Sequence, residues 1–139
     1  MNILRMILVG LLLIVLVTVA EFLVTIPLGS PPEEANAEWL RMVDLELLLT
    51  ALPAGLLTFL AAVLLKLPTR RDSLLHAAVW TGLYALSLLL VLRGNGILGI
   101  VLVRLPVYVL LAFHFLGPLV QARIRHLPQA QPPGSTTGP

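Results

Sequence analysis

Four apolar runs occupy most of this chain, at Ile3–Leu28, Leu45–Leu65, Leu74–Leu92 and Ile97–Val120. A helix needs ~20 apolar residues, at ~1.5 Å each, to cross the ~30 Å hydrocarbon core of a bilayer. Every run reaches that length, so the chain reads as all-α: an integral membrane four-helix bundle with short loops and antiparallel neighbours. No stretch is left for a soluble catalytic domain. Only 12% of residues are charged, against about 25% in a soluble domain. Lipid must therefore serve as solvent for most of the surface.

The net charge of +2 and pI of about 9.7 would raise nucleic acid as a partner for a soluble protein. Here the basic residues sit at the ends of apolar runs rather than on one face, which is not a nucleic-acid footprint. The expected partners are the lipid bilayer and either further copies of the chain in a homo-oligomer or another membrane subunit. The chain has no cysteine, which excludes disulfides, thiolate metal sites and thiol redox chemistry. Lys66 is the only lysine among nine Lys and Arg residues, a bias that suits a GC-rich bacterial genome.

Arg5 followed by Met6–Ala20 resembles a signal peptide, and Thr18-Val19-Ala20 resembles its cleavage site. The apolar character resumes at Phe22 and continues to Leu28, beyond the ~7–15 residues of a typical apolar signal region. An uncleaved first helix is expected. The loop Gly29–Arg41 carries Glu33, Glu34 and Glu38 against one arginine, whereas Lys66–Asp72 carries Lys66, Arg70 and Arg71. Arg123, Arg125 and His126 open the tail. An excess of Lys and Arg marks cytoplasmic loops, so both termini are expected inside a cell membrane.

Residues 1–127 form the membrane domain in this reading, and 128–139, rich in Pro, Gly, Gln and Thr, form a disordered cytoplasmic tail. Ser30-Pro31-Pro32-Glu33 has the pattern of a helix start. It predicts a short interfacial helix at about 31–41, ending near Trp39, that either stops or continues into the second span. Thr69-Arg70-Arg71-Asp72 is a similar start for the third span, and Gly94-Asn95-Gly96 is a tight turn before the fourth.

Helices in lipid associate largely through small residues that let backbones approach. Ala51, Ala54, Gly55, Thr58 and Ala62 make such a stripe on the second span, and Ala78, Thr81, Gly82 and Ala85 make one on the third. The two stripes are expected to face each other or the rest of the bundle, the rival being a homodimer contact. Pro53, Pro106 and Pro118 are expected to bend their helices.

A carboxylate within a span costs ~2.5–3.5 kcal/mol on insertion scales. Glu21 lies about seven residues before the outer end of the first run, and Arg104 about seven after the outer start of the fourth. Both are then ~10 Å deep at ~1.5 Å per residue. An intramembrane ion pair, or a shared outer pocket, is expected between them. Thr18 and Thr25 fall on the Glu21 face, and Asp44 and Glu46 lie near enough to join the cluster.

His76 and His114 on neighbouring spans raise the thought of haem ligation, but their depths differ by about three or four residues at ~1.5 Å each, and no cofactor is expected. No nucleophile–base pair, metal motif or phosphate loop is visible. The expected function is that of a non-enzymatic membrane subunit or accessory protein. The alternative is a small oligomeric transporter or channel using Glu21 and Arg104, and a redox protein ranks below both. A four-span chain with a glutamate in its first helix resembles the small multidrug transporters in those two features. Glu21 lies late in its helix, and Arg104 and Glu46 have no place in that pattern, so no family follows.

Overall fold

A computed structural model describes residues 3–28 and 36–125. The described residues form helices α1 (Ile3–Thr25, extended by a 3-10 turn, Ile26–Leu28), α2 (Ala37–Leu65), α3 (Arg70–Gly94), α4 (Leu98–Leu102) and α5 (Leu105–Arg125). Four of them are long and apolar enough to cross a membrane: α1 with its 3-10 turn, α2, α3 and α5. Their outer surface is apolar, with Leu64 80% and Leu105 73% exposed.

Local chemistry sets the helix ends. Asn36 caps α2, its side-chain oxygen accepting from the amides of Glu38 and Trp39 at 3.0 Å. From Ala37 the expected interfacial helix is one with the second span. Its proposed start at Ser30–Glu33, and the tail 128–139, lie outside the described residues. Thr69 caps α3 as expected, its Oγ1 accepting from the Asp72 amide at 3.1 Å. At the other end of α3, Gly96 takes φ +71°. Its amide bonds Arg93 O, and that of Ile97 bonds Leu92 O, the paired bonds that satisfy terminal carbonyls in a left-handed helix stop.

The fourth run is not one helix. It breaks at Val103-Arg104, between α4 and α5. Pro106 falls in the first turn of α5, where a missing N–H costs little. It starts a helix instead of bending one, so the fourth long helix runs from Leu105 instead of Ile97. Pro53 and Pro118 lie inside α2 and α5, which continue past them.

Helix α1 packs on α2 and α3, and α5 packs on α2 and α3. The α2–α5 seam is the most extensive contact. Ala51, Ala54, Thr58 and Ala62 are buried, and Gly55 is partly buried. A Cβ on Gly117 would lie 2.7 Å from Gly55 O and from Phe59 N, and one on Gly55 would lie 3.2 Å from Phe113 O. The α2 stripe thus faces α5.

The third span reverses its expected faces. Ala78 and Gly82 are exposed, Ala85 and Thr81 are partly buried, and nothing lies within 4 Å of a Cβ placed on Gly82. Ser73, His76, Ala77, Trp80 and Tyr84 are buried instead. The reason is that the bulky face has more to gain inside. Trp80 Nε1 donates to the Met6 carbonyl at 3.0 Å, and its ring fills the gap over Gly10, where a Cβ would lie 3.0 Å from Trp80 Cδ1. An indole and an imidazole left on the apolar outer surface would lose both packing and hydrogen bonds.

Candidate functional site

The polar residues divide between two arrangements instead of one. Arg104, in the break before α5, is held by Asp44 of α2. Its Nε donates to Asp44 Oδ1 at 2.9 Å, and its Nη2 donates to Oδ2. Bidentate pairing of this kind is geometrically specific. The bond pushes the Arg104 pKa further above its ordinary value. The expected Glu21–Arg104 pair is therefore corrected. The cause is helix adjacency: α5 packs on α2 and α3, not extensively on α1, so the acid within reach of Arg104 belongs to α2.

Glu21 sits elsewhere. Met6, Gly10, Leu13 and Val17 form the buried stripe of α1, and a further step of four residues brings Glu21 onto the same face. It lines a cavity of about 450 Å³ together with Glu46, Thr25, Trp39, Leu88 and Asn95. Asp44 and Glu46 are two residues apart, a step of ~200° round a helix with ~3.6 residues per turn. Asp44 thus meets Arg104 while Glu46 turns to the cavity. Glu21 and Glu46 face one cavity from different helices. Among the described residues no cationic side chain lines the cavity, and neither glutamate forms an ion pair. Thr25 joins this lining as expected, whereas Thr18 is exposed and bonds the Ile14 carbonyl of its own helix at 2.9 Å.

Deeper on α3, Tyr84 is within the field of both carboxylates. Its ring stacks on His114 of α5, with centroids 4.9 Å apart and planes 14° from parallel. His114 Nδ1 shares a 3.2 Å hydrogen bond with Thr81 Oγ1. The other nitrogen, Nε2, is buried with no partner among the described residues. His76 is engaged separately: Nδ1–H donates to Asp72 O at 2.8 Å, and the ring meets Trp80 edge-on at 5.1 Å. Among the described residues no three His, Cys, Asp or Glu side chains gather as a metal site.

Sequence spacing missed three things here. The Asp44–Arg104 pairing needed helix adjacency. The Tyr84–His114 stack joins residues on different helices. Gly10 had a local signal, since it continues the Met6, Leu13 and Val17 spacing. The sequence matches no family model, and no curated protein or solved structure shows detectable similarity.

Proposed function

We propose that the chain crosses a bilayer four times, with antiparallel neighbours and both termini cytoplasmic, and that its Glu21–Glu46 cavity binds a cation or cationic amphiphile in competition with protons. Helix length and an apolar exterior support insertion. Two pocket linings support the alternating directions. At the acidic cavity the ends of α1 and α3 meet the start of α2. At a second pocket, Arg5 and Asp72 near the starts of α1 and α3 meet Leu65 at the end of α2. That second end holds Arg5, Lys66, Arg70, Arg71, Arg123 and Arg125, the excess expected of a cytoplasmic face.

One observation carries the ligand reading: two carboxylates share a largely apolar cavity whose lining, among the described residues, includes no cation. Ionisable groups inside spanning helices commonly mark ion or substrate paths. The volume falls within the ~300–1,000 Å³ of small-molecule sites, and Trp39 in the lining offers a ring face to a positive charge. A cation between the two glutamates relieves their mutual repulsion. The test is calorimetric binding of tetraphenylphosphonium to the purified protein and to Glu21→Gln, Glu46→Gln and the double variant. Saturable binding that weakens stepwise supports the reading. No binding, or binding undiminished in the double variant, sinks it.

A second reading, a membrane subunit that packs against partner helices, is favoured by the outward Ala78–Gly82 face of α3. Close approach of another helix needs such small residues. In that case Gly82→Leu converts a larger species on native gels into the monomer.

A further inference from the structure

Away from the acidic cavity, the start of α3 and the end of α5 form a cleft of about 310 Å³, walled by Leu74, Leu119 and Ala122 and flanked by Arg70 and Arg123. Its lining is that of an amphiphile site. Two guanidinium-bearing residues from different helices flank it, and its remaining walls are hydrocarbon. Leu74 is 50% exposed and continues the cleft onto the outer surface of α3. Neither arginine has an ion-pair or hydrogen-bond partner among the described residues. Asp72, the nearest acid in sequence to Arg70, is engaged by Thr69, whose hydroxyl donates to its Oδ2 at 2.8 Å. Residues 126–139 contain no Asp or Glu, so the segment following Arg123 brings no acidic side chain to it. Arg125, by contrast, is occupied, donating from Nη1 to the Leu67 carbonyl at 2.8 Å.

We propose that Arg70 and Arg123 bind the headgroup of one anionic phospholipid, whose acyl chain lies along Leu74 and Leu119. Charge complementarity selects the headgroup, since a guanidinium matches phosphate with paired N–H donors. The apolar walls select a lipid over a soluble anion. Basic pockets between spanning helices at the cytoplasmic side are the recurring setting for such sites. The proposal rests on the membrane-spanning reading, with this end of the helices at the cytoplasmic headgroup level.

The first arm of the test is alkaline carbonate extraction of membranes containing the full chain. Release of the protein would overturn the spanning reading itself. The second arm is native mass spectrometry and thermal unfolding of the detergent-purified protein with phosphatidylglycerol, phosphatidylcholine or inorganic phosphate. Selective retention of phosphatidylglycerol, with a raised Tm, is expected for the wild type. Its affinity should fall about fivefold for each arginine removed in Arg70→Gln and Arg123→Gln. Arg93→Gln, at the other end of α3, should leave it unchanged. Equal response to phosphatidylcholine, or to inorganic phosphate, overturns the proposal on the wild type alone, whatever the variants do. Undiminished binding by the double variant Arg70→Gln/Arg123→Gln also overturns it.

Discussion

Arg104, in the break before α5, is tied to Asp44 of α2, with Nε 2.9 Å from Oδ1, and Glu21 is left to share a cavity with Glu46. An acid–base pair and an acid–acid pair therefore occupy different sides of α2. The first neutralises itself. The second has no cationic partner among the described residues.

A double-mutant cycle separates these roles. Asp44→Asn and Arg104→Gln each lower the Tm in detergent, and the double variant loses less than the two single losses added. Glu21→Gln combined with Arg104→Gln is additive, as expected for groups that share no partner. A coupling between Glu21 and Arg104 that exceeds the one between Asp44 and Arg104 would reverse this assignment.

Cation binding at the acidic cavity should strengthen as the pH rises. If protons and cation compete for the same two carboxylates, as proposed, binding releases protons, and by mass action the apparent Kd falls with increasing pH. Tetraphenylphosphonium titrations from pH 5.5 to 8.5, in two buffers of different ionisation enthalpy, report the proton count directly. A flat profile contradicts the competition.

Glycine tolerance should differ by position. Gly117→Ala sets a methyl group 2.7 Å from backbone atoms of α2, which cannot move aside as a side chain can. Overpacking of this kind costs ~1–3 kcal/mol. Gly82→Ala meets nothing within 4 Å and should leave the monomer's unfolding midpoint in detergent unchanged or slightly higher, helped by the better helix propensity of alanine.

Trp80→Phe removes the indole N–H that donates to Met6 O and puts a smaller ring at a fully buried position. Read by denaturant titration, the expected loss exceeds the ~0.5–1.5 kcal/mol net worth of one hydrogen bond, because the cavity left by the smaller ring adds to it. If α1 were only loosely attached to α3, the substitution would leave stability unchanged.

The absence of cysteine makes topology directly measurable. Asn95→Cys should react in intact cells with a membrane-impermeant maleimide, and Ser135→Cys should react only after lysis. The opposite pattern inverts the proposed orientation, and reaction at both sites in intact cells contradicts four crossings.

Much of the fold was legible along the chain. Run length and hydropathy located the four long helices, because both are sums over neighbouring residues. Thr69 with Asp72, and Gly96 after Asn95, marked ends of α3, because capping is settled within one turn. The break before α5 was harder. Pro106 could equally bend a helix or begin one.

Only tertiary structure decided which charges meet and which faces turn inward. Spacing put Glu21 and Arg104 at one depth, but depth is a single coordinate, and pairing also requires neighbouring helices. Because α5 packs on α2, Arg104 found Asp44. Small-residue spacing on α3 was real, yet Trp80, Tyr84 and His76 claimed the interior, where Met6 O, the His114 ring and Asp72 O are their partners. Those partners include groups on α1 and α5. A periodicity computed along α3 has no knowledge of them, so the order in which helices surround one another determined the site.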